Sequence, residues 1–235
     1  MQPVIIHSST RTIMIARRIP ATYIGLCFAL FGPAGLAFLS KTFLPDRPSL
    51  VESILAQLVL VLICAMVLVI LIFWERQTLS SIGIKSLSLQ SIAWGGAFAA
   101  FLIWAYSPFL GWVMSLARIP WFTEGIAKLA AYPVWYLTLI IIIGGTAEEF
   151  LHRGYVIERL AGLTGSYSIA GLASVLVNAL SHVPMWGWWT SLTFVLSGAV
   201  TTAFYLWRRD LLANIVAHVV TDFAGLVVPI LIAGK

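Results

Sequence analysis

Long apolar runs, broken by short polar clusters, set the pattern of this chain. A helix crossing a bilayer needs roughly 20 mostly apolar residues. Seven stretches meet that length, at about 22–41, 52–74, 91–116, 134–161, 167–185, 190–207 and 211–232. Hydrocarbon cannot satisfy free backbone groups, so each stretch is expected to be a closed helix. Gly32-Pro33 is expected to kink the first. The stretch 118–132 has a different character, with Trp121 and Phe122 beside Glu124 and Lys128. It reads either as an amphipathic segment lying in the interface or as an ordinary loop, which leaves seven spans or eight.

Composition supports lipid as the solvent. Of 235 residues, 60% are hydrophobic and 10% charged, with a mean hydropathy of +0.98; a soluble domain is about a quarter charged. The expected fold class is therefore all-α, a polytopic membrane helix bundle forming one integrated domain. Residues 1–133 would supply the N-terminal helices and interfacial segment, and 134–235 the helices that carry the chemistry. The formal charge of +5 resides in single or paired Lys and Arg between apolar runs, the pattern of topology determinants. No basic stripe is interleaved with stacking aromatics, which argues against nucleic acid as a partner. Cys27 and Cys64 both sit inside apolar runs and form no metal or disulfide pattern. With the N-terminus in the cytoplasm, nine Lys and Arg fall on that side and five on the other, so N-in is the expected orientation.

The second half places ionisable residues in the wrong solvent. Glu148 and Glu149 follow the run 137–145, His182 ends an apolar run, and His218 and Asp222 lie inside the last. Such residues are costly in a membrane and point to function. If the fourth helix continues to about residue 161 and turns through 162–165, Glu148 lies about 20 Å from the turn and His182 about 21 Å up the next helix. A last helix starting near Asp210 puts His218 about 12 Å and Asp222 about 18 Å deep. Three helices thus bring Glu148, His182, His218 and Asp222 to one buried layer. His218 and Asp222 share a helix face, and Glu149 and Arg153 are spaced for an ion pair that leaves Glu148 free. A lone carboxylate in an apolar pocket suits a general base.

The blander readings are a solvated helix end for the glutamates, an interfacial imidazole for His182 beside Pro184 and Trp186, and a polar glue between helices for His218 and Asp222. The apolar continuation Phe150, Leu151, Tyr155, Val156, Ile157 and Leu160 argues against the first. His152 reads as a packing or interfacial histidine.

Three motifs carry a family resemblance. Glu148-Glu149-Phe-Leu-His-Arg153 resembles the Glu-Glu-x-x-x-Arg motif of the CAAX-protease and bacteriocin-processing (CPBP) family of intramembrane proteases. Asn178-Ala-Leu-Ser-His182 is similar to its Phe-x-x-x-His motif, and His218-Val-Val-Thr-Asp222 to its His-x-x-x-Asn motif. Asn178 stands in place of the aromatic and Asp222 in place of the Asn. The resemblance implies peptide hydrolysis, with Glu148 and His182 activating a water and His218 and Asp222 at the oxyanion. Glu149, Arg153 and Asn178 would support the site. It also implies either a divalent metal such as zinc, held by Glu148, His182 and His218, or no cofactor at all. The partners implied are the lipid bilayer and a peptide or membrane-protein substrate: a prenylated C-terminus, a bacteriocin-like peptide or a membrane-protein segment. A peptide-binding or immunity protein on the same scaffold, and a proton- or metal-coupled transporter, are the rival readings.

Overall fold

The computed structural model describes residues 7–119 and 122–232, with the side chains of 19–119, 122 and 125–232. Trp121 and the side chain of Glu124 lie outside the described residues, as do Lys235 and the side chains of Arg11, Arg17 and Arg18. Among the described residues there is no strand. The chain forms α1 (His7–Phe43), α2 (Leu50–Trp74), α3 (Leu89–Leu116), the short α4 (Thr123–Leu129), α5 (Val134–Thr164), α6 (Tyr167–Arg208) and α7 (Leu211–Ile232).

Six of these are long and apolar enough to cross a membrane, against about seven expected. The difference lies in α6. Its 42 residues would make a straight helix of about 63 Å, twice the hydrocarbon thickness of about 30 Å. Gly187, at φ 76° and ψ 166°, interrupts the helical backbone. This is one position where glycine's freedom at positive φ is required. The two limbs then run back along each other: a Cβ at Gly171 would sit 3.2 Å from Thr202, and one at Gly198 would sit 3.4 Å from Val175. The sequence boundaries at 185 and 190 bracket this turn, and α6 supplies two crossings. At seven residues, α4 is about 10 Å long and crosses nothing. α1 extends beyond the expected 22–41, running from His7 to Phe43 with Pro20 and Pro33 inside it.

Polar residues tie the ends. Ser49 caps α2 in a reciprocal box with Glu52. Beside it, the hydrogen bond and charge of Lys41 hold the Asp46 carboxyl below its ordinary range. Asp210 caps α7 and accepts a 2.7 Å bond from Ser91 of α3. Glu75, at the end of α2, is fully buried. It accepts bonds from Thr22 of α1 (2.8 Å) and from Tyr155 (2.6 Å) and Arg159 (2.7 Å) of α5. Above this knot Leu26, Ala29, Val67, Leu71, Ile82 and Leu151 form an apolar core. α5 is thereby wedged between α1, α2, α6 and α7. Both faces of its middle turns are covered, and Glu149 and residues 151–156 are buried.

Candidate active site

α5 changes pitch where the charges begin. It is α-helical over Val134–Glu148 and π-helical over Glu149–Val156. Wide turns of this kind concentrate at functional sites. Consecutive residues on a helix point about 100° apart, so the adjacent glutamates address different neighbours.

Glu148 faces α6. Its Oε1 lies 3.5 Å from His182 Nε2. The other ring nitrogen of His182, Nδ1, is 2.8 Å from the Asn178 carbonyl. That carbonyl only accepts, so Nδ1 carries the hydrogen and Nε2 is directed at the carboxylate. Phe194, from the returning limb of α6, stacks on the imidazole at 4.0 Å between ring centres. Phe194 is in turn met edge-on by Phe122, just ahead of α4. Phe194 thus covers one face of the His182 ring, while its two nitrogens are directed at Asn178 and Glu148.

Glu149 faces α7. It is fully buried and gathers three partners: His218 Nδ1 at 2.8 Å, Asn214 Nδ2 at 3.2 Å and Arg153 Nη1 at 3.3 Å. Arg153 also donates to Thr201 at 2.7 Å, and Asn214 to the Thr201 carbonyl at 3.1 Å. His218, held through Nδ1, turns Nε2 towards Asp222 Oδ2 at 3.5 Å. Gly145 of α5 packs beside His218, where a Cβ would make ordinary contact with the ring at 3.4 Å.

Exposure divides the residues into two rows. Side chains of Glu148 (27%), His182 (16%), His218 (19%) and Asp222 (40%) are open to approach, whereas Glu149 (0%) and Arg153 (3%) are sealed beneath them. An open row carries the groups able to touch a substrate, and a closed row holds them. The expected Glu149–Arg153 ion pair is present, and Glu149 also anchors His218. Asn178 meets His182 through its backbone carbonyl, not its side chain.

The metal expectation finds no matching donor set. Glu148 and His182 pair with each other, while His218 is engaged by Glu149 and Asp222. Among the described residues no three His, Cys, Asp or Glu side chains gather closely enough to hold an ion. Asn214 and Thr201 went unread in the sequence. The signal for Asn214 was available: Asp210, Asn214, His218 and Asp222 form a row at four-residue spacing on one helix face.

Residues 130–224, 95 of the 235, match the family model described as Type II CAAX prenyl endopeptidase Rce1-like. All three motifs and both facing pairs fall within the match, which bears out the resemblance to the CAAX-protease family. No curated protein and no solved structure matches the chain.

Proposed function

We propose that this Rce1-like chain is an intramembrane endopeptidase that hydrolyses a peptide bond of a membrane-associated or lipidated substrate with a water activated by Glu148. The observation that carries the reading is the pair Glu148–His182 at 3.5 Å, with the far nitrogen of His182 already committed to a carbonyl. A water seated between Oε1 and Nε2 meets a carboxylate and an imidazole in hydrogen-bond reach. Glu148 takes its proton as the oxygen attacks the scissile carbonyl, and His182 steadies the hydroxide and the protonated carboxyl. The proton then passes from Glu148 to the leaving amine.

The negative oxygen that develops needs donors. His218, with Nδ1 fixed on Glu149, offers Nε2–H when that nitrogen is protonated. Asp222, 3.5 Å away, orients this proton or, as the neutral acid, donates its own. The distribution of Lys and Arg supports a cytoplasmic N-terminus, and the substrate enters from the open side of Glu148 and Asp222.

In nanodiscs, with a lipidated peptide as substrate, Glu148→Gln is expected to lower kcat by about 10²–10⁴-fold. Dialysis of the wild type against a chelator leaves kcat unchanged. Activity lost to the chelator and restored by zinc would transfer the water to a metal. Peptide bound but uncleaved by wild type and variant alike would favour the binding or immunity reading, which the Asp222 substitution supports.

A further inference from the structure

One turn below the Glu148–His182 pair lies a second polar layer that the hydrolysis reading leaves unused. α5 and the first limb of α6 run antiparallel across the turn at Gly165. His152 follows Glu148 by four residues and Asn178 precedes His182 by four, so both step towards that same turn. Ser174 Oγ donates to the His152 carbonyl at 2.9 Å, which fixes the two helices in this register. His152 is 1% exposed and Asn178 5%. Neither ring nitrogen of His152 has a hydrogen-bond partner, and neither does Asn178 Oδ1. The ionisable groups near enough to act electrostatically on the ring include Arg153, Glu148, His182 and Glu149.

An imidazole with no partner at either nitrogen presents one donor and one acceptor. A buried polar atom left unmatched costs about 1–3 kcal/mol, and native interiors meet such atoms with ordered water. Three such atoms lie in this one layer, on two helices that the Ser174–His152 bond holds in register. We infer that His152 and Asn178 form a water-binding site directly behind the Glu148–His182 pair. Its catalytic meaning rests on the peptidase reading; its occupancy does not. Each hydrolysis consumes one water inside a layer of hydrocarbon, and this site holds its replacement within one helical turn of the base. An aromatic side chain at position 178 would remove the unpartnered Oδ1 and bring more bulk in its place.

The test is water-edited solid-state NMR on the full chain, labelled with ¹⁵N-histidine in bilayers. The chain has four histidines, and His152→Gln identifies the His152 ring signals by their loss. Polarisation from water is expected to reach the His152 ring promptly despite its burial, and Asn178→Phe slows that transfer. Asn178→Phe also lowers kcat by about tenfold with KM unchanged. A His152 ring as dry in the wild type as in Asn178→Phe overturns the inference, even where turnover depends on Glu148. Undiminished turnover in Glu148→Gln sinks the peptidase reading instead, and the NMR result then still decides the water site.

Discussion

Glu149 shows how a sealed charge sets up an open one. Its carboxylate is fully buried, with Arg153, Asn214 and His218 within hydrogen-bonding or ion-pairing reach. A buried ion pair adds little beyond a well-packed apolar pair, but removing one partner leaves the other charge uncompensated. Glu149→Leu is therefore expected to destabilise the chain by about 3–5 kcal/mol, read as a fall in Tm in nanodiscs, and Glu149→Leu with Arg153→Met recovers most of it. Equal Tm values for the single and double variants would remove the ion pair from the account. Asp222 tests the opposite row. Asp222→Asn supplies an amide donor at the oxyanion and keeps or raises kcat, whereas Asp222→Leu lowers it by about 10²–10³-fold. Should Asp222→Asn be as slow as Asp222→Leu, the carboxylate itself, not a donor, is what the reaction needs.

At the scale of elements, close approach lets α5 reach its partners. A Cβ at Gly25 of α1 would lie 1.9 Å from the Tyr155 hydroxyl, the group that bonds Glu75 at 2.6 Å. Gly25→Ala pushes Tyr155 off Glu75 and is expected to cost about 1–3 kcal/mol by overpacking. Tyr155→Phe removes the nearest clashing atom and leaves a ring carbon at 2.6 Å, so a double-mutant cycle by thermal unfolding should show the two changes costing less together than their sum. Strict additivity would mean that the ring does not pass this glycine. The elements themselves were legible because apolar length is a direct property of the chain, and the depth of Glu148 and His182 followed from counting turns. The α7 partners of Glu149, Asn214 and His218, were not, since which face of α7 meets α5 depends on packing that no single helix encodes. Glu75 was missed for a related reason. It stands beside Arg76 at a helix end, where sequence reads a solvated pair, and only the convergence of α1 and α5 buries it. The turn at Gly187 was bracketed by the run boundaries, though a glycine between tryptophans does not announce a reversal.

Across the whole molecule, polar groups collect in three places. The end that carries the turn at Gly165 holds the knot of Glu75, Arg159, Glu158 and Arg209, the latter two ion-paired. The opposite end carries Lys41 with Asp46, the α2 cap and the tryptophans around Gly187. Between them, at mid-depth, lie the two facing pairs and the water layer behind one of them. Among the described residues of this middle layer, Glu148, His182, His218 and Asp222 are partly exposed, while Glu149, Arg153 and His152 are buried. The central claim is that this row cuts peptide bonds with a water activated by Glu148. The most direct measurement compares new peptide termini in membranes of cells making equal amounts of wild type or Glu148→Ala. A set of termini present with the wild type and gone with the variant is expected; identical termini from both, with both chains folded and inserted, would mean that Glu148 does not drive cleavage.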